Sequence, residues 1–443
     1  MAFAAGLLVL GLDVPGLNTA WFLFAWGGVL AVLDGLIAVA GGVSFLVGRR
    51  RELLAMSLWS VPYWCLFEAY NLRLHTWWYV FVPDSDAGQA LLATAAFATV
   101  LPACFIPAEL LAALGLFEAV RCRPIAMTVR VRALVGAFGL ACIAAPLLWP
   151  TRAHALVWGA TFGLPALVTH HLTRPGGPHA GAPSLLRDLQ EGRPARWLRL
   201  LVGGLLAGGL WEGLNWPARA RWIYTVPGLS ELKLFEMPVL GFLGFPALAV
   251  QAFAGYTLLC LVLRGGRRFE ASDVANAHAR PGRRGRLGAM AGLLGFSILA
   301  SLVTMQPQLI ASRPLLADNP HLQQEDLVGL GAQGWSTPER LQAAVRRLGT
   351  DAVAAASGVP AERLFAAFQH AALAIHKGMG SDNATLLQAV GVKHPGELAG
   401  RRAAVLHGGL LVESSRSRIR PPPVQVVAVW IRAAPTTGSA PHR

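Results

Sequence analysis

Two carboxylates, each with an asparagine three residues on, have the types and spacing to do chemistry: Glu68 with Asn71, and Glu212 with Asn215. That spacing puts both side chains on one helix face, where the amide can donate to the carboxylate. Both pairs lie in largely apolar segments. An ionisable group at a membrane-helix centre costs about 2.5–3.5 kcal/mol on insertion scales and marks a functional candidate. Asp34, in Val-Leu-Asp-Gly-Leu-Ile, and Glu109, in Ile-Pro-Ala-Glu-Leu, are two more such acids. A lone buried carboxylate must be protonated or paired. Glu68, Glu212, Asp34 and Glu109 are therefore the candidate catalytic or proton-carrying residues. Asn71, Asn215, Trp78, Trp222 and Glu236, the last in Leu-Phe-Glu-Met-Pro, are the candidate substrate contacts. The same Glu and Asn would serve equally as polar clasps between helices, and both readings stay open.

The elements that must carry these residues follow from composition. Hydrophobic residues make up 54% of the chain and charged residues only 14%, against roughly 25% charged in a soluble globular protein. A membrane span takes about 20 mostly apolar residues. Eight segments meet or approach that: 20–47, 53–71, 88–117, 133–149, 153–172, 197–215, 234–263 and 287–306. Arginines crowd every second connection, as at Arg49 to Arg51, Arg121 to Arg132, Arg174 to Arg199 and Arg264 to Arg286. The positive-inside rule turns those connections to the cytoplasm. The expected protein is thus multi-pass in the cytoplasmic (inner) membrane, with its N-terminus outside and the region after the eighth span extracytoplasmic. The same distribution accounts for the net charge of +14 without nucleic acid.

Shifted by 144 residues, the chain matches itself without a gap. Phe67-Glu68-Ala69-Tyr70-Asn71 falls on Trp211-Glu212-Gly213-Leu214-Asn215, Trp78 on Trp222, Val82-Pro83 on Val226-Pro227 and Pro102 on Pro246. With four spans per copy, both copies point the same way, a parallel repeat about an axis along the membrane normal. The expected fold is all-α: a transmembrane bundle of about eight spans in two parallel repeats of four, then a small helical domain. The expected boundaries are an N-terminal segment 1–19, repeats 20–149 and 150–312, a soluble domain 313–433 and a disordered tail 434–443. Pro102, Pro107, Pro238 and Pro246 should break or kink the third and seventh spans, which membranes tolerate where the freed backbone is covered or lines a cavity.

In the soluble region, Ile375-His376-Lys377-Gly378-Met379-Gly380, followed by Ala384, Leu387 and Gly391-Val392, resembles a helix-hairpin-helix motif with its Gly-hydrophobic-Gly turn. Over about 320 to 433 the chain looks like a bacterial tandem helix-hairpin-helix-like domain of unknown function, with Leu327 to Leu364 as a degenerate first copy. Nucleic-acid-binding members of that group hold phosphate on the turn amides. Here 14 Lys and Arg stand against 9 Asp and Glu from Arg313 onward, too small an excess for gripping DNA, so protein partners or self-association are expected. The membrane half resembles uncharacterised bacterial membrane proteins bearing the Glu-x-x-Asn and Phe-Glu-Met-Pro-x-x-Gly-Phe-x-Gly-Phe-Pro signatures. More distantly, it is similar to the tandem transmembrane lycopene cyclase domains, in which membrane acids are implied to protonate a polyene. The Pro-x-Glu-Glu of those domains is absent, and Glu236 precedes its proline.

No HExxH, phosphate-cradling glycine loop or Cys-x-x-Cys is present, and His170-His171 lacks further ligands at helical spacing, so neither metal nor cofactor is expected. Three functions remain. The first is an intramembrane enzyme or binder for an isoprenoid or other lipid, acting through the carboxylates. The second is a membrane scaffold presenting a protein-binding helical domain, and the third a proton- or ion-coupled transporter.

Overall fold

The computed structural model describes residues 18–228, 232–264, 269–270 and 283–435, with side chains described from 288 onward in the last of these stretches. Most of the expected N-terminal segment and tail lie outside the described residues. Two compact units emerge: Met1–Thr76, Ser85–Ala218 and Val226–Pro307 form one, and Trp77–Asp84, Arg219–Thr225 and Gln308–Arg443 the other.

The first unit is helical: α1 (Trp21–Val39), α2 (Arg50–Leu74), α3 (Asp86–Phe97), α4 (Val100–Ala113), α5 (Val129–Leu148), α6 (Gly163–Leu172), α7 (Leu185–Gln190), α8 (Ala195–Asn215), α9 (Gly244–Leu263) and α10 (Arg283–Met305). Among the described residues, five stretches are long and apolar enough to cross a membrane: Trp21–Val39, Asp86–Ala113, Val129–Leu148, Val239–Leu263 and Gly288–Gln308. Eight were expected, and the other three differ for physical reasons. Segment 153–172 divides into a short 3-10 stretch, His154–Gly159, and the ten-residue α6; at 1.5 Å per residue α6 covers about 15 Å, half a hydrocarbon core. Helices α2 and α8 have the length, at 25 and 21 residues, but carry arginines and the acid pairs.

The third span breaks at Ala98–Thr99, upstream of its prolines. Pro102 falls in the first turn of α4, where no intrahelical donor is lost, and Pro107 sits inside the helix. The hydroxyl of Ser60 on α2 donates to the Phe97 carbonyl and accepts the Leu101 N–H, so one side chain satisfies both ends of the break. The seventh span instead opens with a tiny hairpin, Lys233–Leu234 against Met237–Pro238, and a 3-10 turn before α9.

Small residues set the helix crossings. A Cβ on Gly203 would stand 2.9 Å from the Ala108 nitrogen, and one on Gly208 would enter the Phe245 ring, so α8 lies close against α4 and α9. Gly139 and Gly163 bring α5 and α6 together in the same way.

The described residues are mostly helical, as expected, and the second unit adds a small sheet to the helices. Strands β1 (Trp77–Val82), β2 (Arg221–Tyr224) and β3 (Leu309–Ser312) form a sheet in the order β2-β1-β3, with β1 antiparallel to β2 and parallel to β3. Trp78 pairs with Ile223 and Tyr79 with Trp222; adding 144 to the first member of one pair and subtracting it from the second yields the other. Helices α11 (Gln324–Ala332), α12 (Pro338–Leu348), α13 (Thr350–Ser357), α14 (Ala361–Ala374), α15 (Gly380–Ala389), α16 (Ala403–Ser417) and α17 (Val424–Arg432) complete the unit. Thr337 caps α12 through the Arg340 N–H, with Pro338 at the first helical position. One core gathers Leu330, Leu341, Val353, Leu364 and Phe368; a second gathers Leu373, Met379, Leu387, Leu410 and Trp430 around Trp78, Val80 and Ile223 of the sheet.

Candidate functional site

Glu68, Asn71, Glu212 and Asn215 are fully buried at the C-terminal ends of α2 and α8. Trp64, one turn back, donates its indole N–H to Glu68 Oε1 at 2.7 Å. Asn71 turns the chain out of α2: its Oδ1 accepts the Thr76 N–H at 2.8 Å and the Thr76 hydroxyl at 3.0 Å, just past His75 in the left-handed C-cap. The second copy is built differently, since Gly208 stands where Trp64 would and Phe245 fills the space. Glu236, also buried, occupies the hairpin turn. The neighbouring Phe235 ring lies over Gly213 and 6.0 Å from the Trp216 ring, seating that turn on the end of α8.

Trp78 and Trp222, expected beside the acids as substrate contacts, belong to the sheet of the second unit. Trp78 is a core residue whose N–H goes to Thr225 Oγ1 at 2.9 Å, and the Trp222 N–H goes to the Tyr224 hydroxyl at 2.9 Å.

Asp34 is paired with a hydroxyl and two backbone amides. Its carboxylate accepts the Ser44 hydroxyl, the Phe45 N–H at 2.7 Å and the Leu46 N–H at 3.0 Å, tying the loop after α1 back onto that helix. Glu109 is held by Arg49 at 3.2 Å. The Arg49 guanidinium also donates to the Phe269 and Val43 carbonyls and lies 3.6 Å over the Phe45 ring. These contacts leave Arg49 buried but fully engaged, as a desolvated charge requires.

Glu109 lines the site that sequence reasoning missed. A cavity of about 480 Å³ lies among α1, α4, α8, α9 and residues 269–270, within the volume range of small-ligand sites. Ile37, Phe105, Ala112, Phe253 and Phe269 give it an apolar wall, while Glu109, Asp188, Arg196, Arg199 and Glu270 give it an ionic one. Arg196 bridges Asp188 and Glu270, the latter at 3.0 Å. Burial pushes the Asp188 carboxyl from 3.8 up to about 6, against the pull of Arg196 and with help from Glu270. An acid so placed can exchange a proton near neutral pH. Besides Glu109, the sequence signal for this site was an acid, Asp188 or Glu270, set inside an arginine-rich connection. Its meaning depended on contacts 74 residues apart.

Among the described residues, no group of three or more His, Cys, Asp or Glu is placed to hold a metal ion. Residues 321–437 match a family described as a domain of unknown function, DUF4332. No curated protein and no solved structure matches the chain.

Proposed function

We propose that this chain is a multi-pass protein of the cytoplasmic membrane that holds an amphipathic lipid or isoprenoid in the 480 Å³ cavity. The observation that carries the reading is the division of that cavity into an aromatic and aliphatic wall and an Arg-Asp-Glu wall. An apolar chain suits the first wall, and a polar headgroup suits the second. The ionic wall comes from the arginine-rich connections, which the positive-inside rule turns to the cytoplasm. Binding is the primary reading; any proton transfer would fall to Asp188 or Glu109, which line the cavity. Asp34 then serves as a loop clasp. Glu68 and Glu212 serve as duplicated clasps at the opposite ends of their helices.

A parallel duplication fits this protein. Helices α4 and α9 begin at Val100 and Gly244, 144 residues apart, and the β1–β2 register is unchanged by the same shift. In this reading α2 and α8 are bundle helices sheltered by more apolar neighbours, and α6 is a half-span. Residues 77–84, 219–225 and 308–443 form one compact unit, which supports a common, extracytoplasmic side for all three. A scaffold role for that unit is the second reading, favoured by the sheet that knits its helices to both repeats' strands.

Mass spectrometry of lipids co-purified with the detergent-extracted protein tests the binding reading. Wild type should retain one lipid class in near-stoichiometric amount, and Arg196→Gln or Phe253→Ala should lose it. Identical lipid profiles in all three proteins would leave the scaffold reading standing.

A further inference from the structure

Helix α16, Ala403–Ser417, has two apolar faces where a surface helix needs only one. Its inner face is committed. Leu406 and Leu410 are buried in the core around Trp430, a Cβ on Gly409 would meet Val390 at 3.6 Å, and the Ser414 hydroxyl donates to the Ile419 carbonyl beyond the helix end.

The outer face carries Ala404, Val405, Gly408, Leu411 and Val412, all exposed. At 3.6 residues per turn these five fall within about 120° of arc centred on Gly408, a continuous stripe about 12 Å long. Val405 is 68% exposed and Val412 55%, and a Cβ on Gly408 would meet nothing within 4 Å. Among the described residues, the other large apolar side chains exposed after residue 312 are Leu315, Val328, Leu348 and Phe365, each on a separate segment. Single exposures are ordinary on a protein surface, whereas a contiguous stripe marks a face that something covers.

The charges around the stripe define what suits it. Arg401 and Arg402 stand at its N-terminal end and Arg416 and Arg418 at its C-terminal end, all four exposed. Arg401 donates its Nε–H to the Glu397 carbonyl, and Arg416 reaches Glu413 at 3.5 Å. Residues 395–418 hold only two acids, and both are engaged: Glu413 by Arg416, and Glu397 by the Lys393 N–H. The face is therefore apolar in the middle and basic at both ends. A second copy suits it poorly, since pairing the helices in either direction sets arginines against arginines. Nucleic acid suits it poorly as well, since the valines and leucine would lie stranded against phosphates. A bilayer surface offers both halves of the match, anionic phosphates above an acyl boundary, and arginine stems can lie along the apolar layer while their heads stay with the phosphates.

We propose that α16 docks on a bilayer surface containing anionic phospholipid, with Val405, Leu411 and Val412 in the acyl boundary and Arg401, Arg402, Arg416 and Arg418 on the lipid phosphates. Basic clusters draw anionic lipid in this way. The inference rests on the reading of the chain as a membrane protein, and is independent of what fills the cavity at Asp188 and Arg196.

The test uses the full-length protein, one copy per nanodisc, with Cys122→Ser removing the exposed thiol and Val412→Cys carrying an environment-sensitive NBD dye. A second protein carries the dye at Val328→Cys on α11. In nanodiscs of equal parts phosphatidylcholine and phosphatidylglycerol, spin-labelled lipid should quench the dye at 412 about twofold or more beyond the dye at 328. Phosphatidylcholine alone, or Arg402→Gln combined with Arg418→Gln, should cut that quenching by about half or more, because the electrostatic attraction is lost. Incorporation into the nanodisc reports the membrane reading and the dye reports the docking, so the two fail separately. Equal quenching at both positions, or none at 412, overturns the proposal. So does a blue-shifted dye seen only when discs hold two copies, which would assign the face to self-association.

Discussion

Replacing Gly380 with Ala sets a methyl group 2.3 Å from the Ala311 Cβ, at a residue whose φ is +77°. The left-handed backbone alone costs an alanine about 1–2 kcal/mol, part of it offset by the smaller entropy of its unfolded chain. The overlap adds about 1–3 kcal/mol, the usual penalty for an extra carbon in a filled core. Together these predict a loss of about 2–4 kcal/mol in the C-terminal unit. Ala311→Gly removes the clashing atom, and the next neighbours of the new Cβ, Ala311 Cα and Ser312 O, stand at 3.6 Å. In that background Gly380→Ala should cost only its backbone share, about 1 kcal/mol, giving a coupling of about 1–3 kcal/mol across the double-mutant cycle. Hydrogen exchange at the amides of α15 reads local stability in all four proteins. Additivity within about 0.5 kcal/mol would refute docking of the turn on β3. It would return the glycines to the phosphate-gripping role that the motif suggested.

Asp34→Ala strands the Phe45 and Leu46 amides and should cost about 2–5 kcal/mol in denaturation experiments; an unchanged midpoint would contradict the loop-clasp role. Asp188, raised to about 6 in the folded chain, binds extra protons when folded, so its contribution favours folding below about pH 4 and is lost as pH rises through about 6. Asp188→Asn should therefore flatten a stability slope of about 1–3 kcal/mol between those limits, and a slope that persists would assign it to another group. Glu68→Gln and Glu212→Gln keep shape and most hydrogen bonding, so as clasps they should fold and complement a deletion normally. Complementation failure with normal folding would restore the acids to chemistry.

Much of the helical plan was written in local pattern. The apolar runs at 20–47, 133–149 and 287–306 became α1, α5 and α10, and the Ala-rich stretch after 312 became the C-terminal helices. The buried state of Glu68, Asn71, Glu212 and Asn215 was equally legible from their apolar surroundings. Long-range pairing was not. Trp77–Val82 is apolar at almost every position, without the alternation that marks a half-exposed strand, because both of its faces are covered. The break at Ala98–Thr99 depended on Ser60 reaching across from another helix. Asp34 could be seen to need a partner, but not that backbone amides eleven and twelve residues on would supply it. The Asp188–Arg196–Glu270 cluster escaped because its members look, one at a time, like ordinary charges in basic connections.

The sheet β2-β1-β3 also sets an order of events. Trp78, Val80 and Ile223 complete the core built by α14 to α17, yet they are synthesised about 230 and 85 residues before Met305 ends α10. Loop closure on that scale is slow and precedes the contacts that reward it. The last 130 or so residues, made as the chain emerges, therefore cannot finish their interior until both earlier strands have met in register. Their burial reports that two distant strands, β1 and β2, were assembled correctly, and a chain with either one misplaced leaves Trp430 and its neighbours exposed for quality-control proteases to find.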